Sequence, residues 1–330
     1  MLAYDVFSAE KPGKRLLLLG TVHGNETCGY FAIERLRKKI ISGELLLESG
    51  EITTVPISNE RAFRQGVRLT EDNLNRSFFW SGDGHFLSDN GNKIVENEDV
   101  GNQFDMRAEM GDIELQKKVG QAPSSYEQER AKELARLFVS KDAEIDIHSQ
   151  TAEGESYCFG QNESLELKSY LNALGTKNII YGWDKMYPEG DFTSENLAEK
   201  MGILGTTVEC GSHENPDSIE FAWRVILNAL KYLKIISDKT YLQQFVQMDE
   251  KYRYQKISKN LRMIKMYRWI DGGKMTHDWK HLETINEGDV IAHTNSGETI
   301  IAEEDCLMIL PNYHPIRNNE EWFYLAKIED

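Results

Sequence analysis

No cysteine in this chain has a neighbour at the spacing that metal clusters and redox pairs use. Cys28, Cys158, Cys210 and Cys306 are scattered, which argues against both a thiolate zinc site and a disulfide framework. The chain has no GxSxG turn to expose a nucleophilic serine, and no P-loop or GxGxxG to cradle phosphates. Basic charge is also scarce: 38 Lys and Arg face 54 Asp and Glu, giving a formal net charge of −16. A nucleic-acid partner is therefore not expected, because no basic face is there to meet phosphates. A negatively charged substrate would be repelled at long range and would need local arginines to hold it. The apolar run LLLLG at 16–20 is too short to span a bilayer, and the N-terminus MLAYDVFSAEKPGKR lacks a signal peptide's apolar stretch. These features lead to the expectation of a soluble, cytoplasmic protein with no membrane partner. There is no internal repeat, and nothing in the pattern speaks to oligomeric state.

What is present is the balance of a globular protein. With 40% hydrophobic and 28% charged residues over 330 positions, the chain can bury one large catalytic core or two domains. The first half alternates strand and helix signals. Continuous apolar or alternating runs at 16–19, 52–57, 143–148, 178–181 and 206–210 read as strands. A helix is expected over 26–41, with Phe31, Ile33, Leu36 and Ile40 inside. A second is expected after Ser124 or Ser125, through about 140. A third is expected over 217–236, burying Ile219, Trp223, Ile226, Leu227 and Leu230. This alternation predicts an α/β domain with a largely parallel sheet. From about 81 to 121 the chain is rich in Gly, Asn and Asp and reads as a long loop or insertion. After about 245, short β-like runs separated by DGG, NEGD and NSGE turns predict a small all-β unit.

The sharpest local chemistry is Gly20-Thr-Val-His23-Gly-Asn-Glu26, where a predicted strand gives way to a helix. Ligands of open α/β sheets bind at such carboxyl ends. Imidazole and carboxylate both suit zinc, although an HxxE pair alone is common by chance. His148 ends the predicted strand AEIDIH and can converge on the same crevice. Two histidines and a glutamate leave a fourth tetrahedral position for water, which is the catalytic pattern. Asp146, two residues earlier on the same strand face, can accept the second ring N–H of a metal-bound histidine. The same spacings also suit a hydrogen-bonded core histidine and a surface acid. Glu209 ends the β-branched run GTTVECG, where a carboxylate is costly unless paired or working. It fits a general base, or the partner of an arginine. Arg61, Arg64, Arg68 and Arg76 cluster in NERAFRQGVRLTEDNLNRSF, of which one or two are expected to clamp a carboxylate. His85, His213, His277, His281, His293 and His314 are expected in turns or on surfaces.

Taken together, LLLLGTVHGNET, RQGVRLTEDNLNRSF, EIDIHSQT and LGTTVECG resemble the succinylglutamate desuccinylase/aspartoacylase family, a branch of the zinc-carboxypeptidase-like fold. YEQERAKELA at 126–135 is similar to the family's Arg/Glu-rich helix, and EGDFT at 189–193 to a loop ahead of the base strand. ETINEGDVIA and MILPN are similar to parts of its C-terminal β domain, so the resemblance covers nearly the whole chain. It implies a mixed, largely parallel sheet flanked by helices, with a catalytic domain over 1–245 and a small all-β domain over 246–330. It also implies one zinc ion per chain held by His23, Glu26 and His148, with Glu209 as general base. By the same resemblance, Arg68, Asn75 and Arg76 hold a substrate carboxylate and place the scissile carbonyl.

The expected activity is hydrolysis of an N-acyl amide, the substrate being a small N-acyl amino acid. Two alternatives stay open: carboxypeptidase- or amidase-like cleavage of a small peptide, and a silent binding protein on the same fold. The chain departs from the family at SQTAEGES, where relatives carry an arginine. There Glu153 and Glu155 are expected to repel an extra substrate carboxylate. Tyr313, in the late LPNYHP turn, is a candidate to reach over the site from the β domain.

Overall fold

The structure is a computed structural model that describes residues 2–78, 124–187, 192–250, 259–270, 272–315 and 318–329. The insertion expected at 81–121 and most of EGDFT lie outside the described residues. An edge strand β1 (Asp5–Ser8) precedes β2 (Arg15–Gly20), whose leucines 16–19 are all fully buried, as a continuous apolar run between covered faces requires. Helix α1 (Cys28–Ile41) begins two residues later than expected, leaving Glu26 in the preceding turn. Its buried face is Cys28, Gly29, Ala32, Ile33 and Leu36, whereas Phe31 is 48% exposed. Small residues are inside because α1 lies almost against the next strands: a Cβ on Gly29 would come within 2.8 Å of the Ile147 carbonyl. Strand β3 (Glu51–Val55) and the short helix α2 (Glu60–Gln65) follow.

The remaining elements before residue 246 are α3 (Tyr126–Ala135), β4 (Ala143–Gln150), β5 (Tyr157–Gly160), α4 (Leu165–Leu174), β6 (Asn178–Tyr181), α5 (Ser194–Lys200), β7 (Thr207–Ser212), α6 (Asp217–Tyr232) and α7 (Asp238–Phe245). Ser125 starts α3 with a reciprocal capping box to Gln128. Helix α6 stops four residues short of the expected end, where Lys234 adopts a left-handed φ of 58°. Ile235 and Ile236 stay buried just past it.

The C-terminal strands are β8 (Lys259–Arg268), β9 (Lys274–Met275), β10 (Thr284–Ile285), β11 (Val290–His293), β12 (Thr299–Ile301), β13 (Cys306–Ile309) and β14 (Glu321–Glu329). Among the described residues one sheet of eleven strands runs β1, β3, β2, β4, β7, β5, β6, β8, β14, β13, β10, and β12, β11 and β9 form a small antiparallel sheet beside it. The centre, β3–β2–β4–β7, is parallel, and β5 enters antiparallel to β7. This is the mixed, mostly parallel sheet that the alternation predicted. Strand β8 pairs with β6 in parallel, so several strands after 245 extend the main sheet. One apolar core lies beneath α1 and α6, and a second lies under α3 and α5 on the opposite face.

Residues 70–72 are held in place from α3. The fully buried Glu127 carboxylate accepts the Thr70 amide (2.9 Å) and hydroxyl (2.6 Å), the Glu71 and Asp72 amides (both 3.2 Å) and the Asn59 side chain (3.3 Å). Burial opposes its charge, but these donors outweigh burial and keep the carboxyl below the usual range. Glu127→Gln is therefore expected to lower stability by roughly 1–3 kcal/mol in denaturant unfolding at neutral pH. A depressed folded pKa stabilises above the carboxylate range and is lost as pH falls through it, so the deficit should shrink in acid. A variant with an unchanged midpoint at neutral pH would refute this role.

Candidate active site

Strands β2 and β4 are parallel neighbours in the sheet, and their carboxyl ends deliver His23 and His148 to one point. After β2 the chain turns at Thr21, which holds a left-handed φ of 48° although it is β-branched, and whose hydroxyl donates to the Pro56 carbonyl at 3.1 Å. Such a conformation costs on the order of 1–3 kcal/mol and persists only where its surroundings impose it. Gly24 follows His23, and a Cβ there would run into the Ala62–Phe63 backbone of α2. The loop thus lies tightly between β2 and α2 and brings Glu26 under both imidazoles.

His23 Nδ1 lies 2.9 Å from Glu26 Oε1, His148 Nδ1 lies 2.9 Å from Glu26 Oε2, and the two Nδ1 atoms are 3.1 Å apart. All three residues are buried. The two facing Nδ1 atoms cannot both donate to each other, and one ligand atom from each of the three residues lies within 4.8 Å of the others, close enough to meet on a single cation. Among the described residues this trio is the cluster able to hold a metal ion. The outer nitrogen of His23 is oriented as a metal-binding histidine requires, Nε2 lying 3.0 Å from Asn73 Oδ1, and His148 Nε2 lies within ion-pair distance of Asp146 Oδ2, at 2.8 Å. Ser194 donates to the same Asp146 oxygen at 3.0 Å.

The remaining expected residues divide into three groups. Glu209 on β7 is in register with His148, it is buried, and its Oε2 has no hydrogen-bonding partner among the described residues. Burial, then the Glu26 charge, pushes its carboxyl up to about 8. A cation held by the trio would act in the opposite direction. Arg68 is at the cluster, with one guanidinium nitrogen 2.5 Å from Glu26 Oε1. Asn75 and Arg76 are already engaged. Asn75 Oδ1 accepts the Ser194 amide at 3.0 Å. Arg76 lies against the Trp183 and Tyr187 rings, 3.2 Å from Glu321 Oε1 and 3.0 Å from the Tyr187 hydroxyl. Arg61 and Arg64 form exposed pairs with Glu71 and Glu60.

Several expectations need correction. His213 lies half-buried against Ser149 Oγ at 2.8 Å, and the Ser149 amide donates to Glu26. His281 is buried under the C-terminal strands, whereas His277, His293 and His314 are exposed as expected; His85 lies outside the described residues. Glu153 and Glu155 pair with Lys280 and Lys177 and line a cavity of about 700 Å³ whose wall contains none of His23, Glu26, His148 or Glu209. Their repulsion of a substrate carboxylate is correspondingly weakened. Tyr313 donates its hydroxyl to the Trp279 carbonyl at 2.7 Å, inside the C-terminal strands. Asn73 was missed because an asparagine in TEDNLNR reads as a turn residue, and it does cap the short 3₁₀ turn at Leu74–Arg76.

An open α/β sheet with a buried His–Glu–His trio at its carboxyl edge is the architecture of a metal-dependent hydrolase. Residues 12–233 match the family model of the succinylglutamate desuccinylase/aspartoacylase catalytic domain, and the chain belongs to that family. It is similar to the probable aspartoacylase of Nostoc sp., at 24% identity over 94% of this chain and 92% of that protein. It is also similar to the succinylglutamate desuccinylase of Pseudomonas paraeruginosa, at 29% identity over 63% and 62%. Among solved structures, a succinylglutamate desuccinylase from Silicibacter sp. shares the fold with a TM-score of 0.65, at 18% identity over 99% of this chain and 88% of that one. The product-bound ectoine utilization protein of Ruegeria pomeroyi does so with a TM-score of 0.65, at 17% identity over 98% and 88%. Family and cluster together define a metal-dependent deacylase, an amidohydrolase of linear amides. No described helix is long and apolar enough to cross a membrane.

Protonation of the trio gives a direct test. Burial, then the Arg68 charge, lowers His23 to about 4. For His148, burial opposes the charged form, but Asp146 and Glu26 outweigh it and hold the ring well above its usual value. In the metal-free chain His148 therefore carries a proton at pH 7 that a cation must displace. Metal uptake is expected to release about one to two protons per chain, from His148 and in part from Glu209, measured by calorimetry in buffers of different ionisation enthalpy. Binding with no proton release would remove His148 from the ligand set.

Proposed function

We propose that the chain hydrolyses the amide bond of a small N-acyl amino acid, with one zinc ion held by His23, Glu26 and His148 and with Glu209 as the base. The observation that carries this reading is the facing pair of Nδ1 atoms over Glu26, with the partnerless Glu209 one strand away. When bound, zinc supplies Lewis acidity to the scissile carbonyl and makes water acidic enough to attack near neutral pH. Glu209 takes the proton from that water and returns it to the leaving amine. Arg68, beside Glu26, shares the charge that develops on the carbonyl oxygen. Asn73 and Asp146 face the outer ring nitrogens and, with a cation bound, would favour the tautomers that turn the inner nitrogens to it. Asn75 and Arg76 line the approach for a substrate carboxylate, Arg76 held in place by Glu321 from the unit we propose to divide at 246–330 from the catalytic 1–245.

The test is amine release by zinc-loaded protein from a panel of succinyl, acetyl and formyl derivatives of acidic, neutral and basic amino acids. One acyl-amino acid is expected to be turned over preferentially. Glu209→Gln should keep its zinc and lose about 10²–10⁴-fold in rate, near 3–5 kcal/mol of barrier. The base must be deprotonated to work, so kcat/KM of the zinc-loaded protein should rise with pH along a limb that titrates Glu209. That limb should be absent in the variant. Zinc bound with no release from any panel member would overturn the reading.

A further inference from the structure

Three strands put side chains in one row across the sheet. His148 on β4 is in register with Glu209 on β7, and Glu209 is in register with Tyr157 on β5. Residues directly opposed on neighbouring strands project from the same face, with Cβ atoms about 4.5–5.5 Å apart in an antiparallel pair. Tyr157 therefore flanks Glu209 on the side away from the metal ligands.

The ring of Tyr157 is fully used in packing. His281 stacks on it with centroids 4.3 Å apart, and Phe159 meets it edge-on at 5.4 Å. Its hydroxyl is not used. The residue is 0% exposed, and its oxygen has no hydrogen-bonding partner among the described residues. A buried hydroxyl in that state costs on the order of 1–3 kcal/mol, and phenylalanine would pack equally well without it. The group is kept where stability disfavours it, next to the base. Burial raises the phenol well above its usual range, and the charges that reach it are those of Glu209, Glu26 and Arg68. It is thus a protonated donor on the residue paired with Glu209.

This deepens the hydrolase reading and rests on it. Glu209 returns its proton to the leaving amine, so the leaving amino acid lies on the Glu209 side of the scissile bond. The α-carboxylate hangs one carbon from that nitrogen. Arg76, the expected clamp, already has Glu321 and Tyr187 on its guanidinium, so a carboxylate there needs another donor. We propose that the Tyr157 hydroxyl donates a hydrogen bond to the α-carboxylate of the leaving amino acid, and that this contact selects acyl amino acids over acyl amines.

The test is direct binding, independent of turnover. Each panel member and its decarboxylated N-acyl amine, which has no acceptor at that position, are titrated into zinc-loaded Glu209→Gln protein, with and without Tyr157→Phe. The added change is expected to weaken the carboxylate ligand about 10–100-fold and leave the acyl amine within about twofold. The melting temperature of unliganded Tyr157→Phe should equal or exceed that of the parent, since the hydroxyl serves no fold contact. Equal losses on both ligands, no loss on either, no binding by the parent, or a lower melting temperature would each overturn the proposal. A carboxylate preference that depends on Tyr157, in a protein that hydrolyses nothing on the panel, would sink the hydrolase reading and leave this contact standing.

Discussion

A carboxylate held between two imidazoles, out of reach of solvent, is the constraint on which the rest of the molecule depends. Glu26 is 1% exposed, His23 3% and His148 2%. Bringing three ionisable groups out of water costs several kcal/mol unless each has a compensating partner. Burial pushes the Glu26 carboxyl upward, and the two histidines more than reverse this, so the residue keeps its negative charge. The cluster is stable only if its three members stay within about 3 Å of one another. The sheet supplies that precision by setting β2 and β4 side by side in a fixed parallel register. The strain at Thr21 and the close approach at Gly24 are local consequences, since the chain must leave β2 sharply enough to pass Glu26 beneath both rings.

Support for the cluster passes through two hydrogen-bonded layers that meet at α5. On one side Glu127 fixes residues 70–72, which positions Asn73 against His23 and Asn75 against the Ser194 amide. On the other, Ser194 donates to Asp146, which faces His148, and Thr207 donates to Glu195. Three carboxyl groups lie within this second layer with no solvent exposure worth the name. Burial, then Asp146 and Glu195, pushes Glu144 well above the usual carboxylate range, so the layer need not hold three negative charges at once.

Legibility in the sequence followed the range of the interaction. Strands β2 and β6 are continuous apolar runs, and their burial follows from local composition alone. The His23, Glu26 and His148 convergence was also readable, because strand carboxyl ends in a parallel sheet point one way. Strand β5 was not, since YCFG is short and its insertion antiparallel beside β7 is a choice made by distant pairing. The inner face of α1 was misjudged because counting large apolar residues favours Phe31, whereas close approach to β4 favours Gly29 and Ala32. His213 and His281 gave no local signal, for their partners Ser149 and Tyr157 lie 64 and 124 positions away in a chain whose folding alone brings them together.

The −16 net charge and an anionic substrate are reconciled by distance. At physiological ionic strength the Debye length is about 8 Å, so exposed acids on the far surface exert little force within the site. Charges at short range matter more: Arg68, half-exposed, lies against Glu26, and Arg76 is walled by Trp183 and Tyr187. Arg76 is half-neutralised by Glu321, which β14 carries in from the end of the chain. Glu321 itself is held charged because Arg76 and a Tyr187 hydrogen bond outweigh its burial. The extension of the sheet through β8 and β14 thus does more than cap an edge. By placing one carboxylate against one guanidinium it lowers the positive charge at Arg76, which on the proposed reading leaves a substrate carboxylate to neutral donors such as Tyr157.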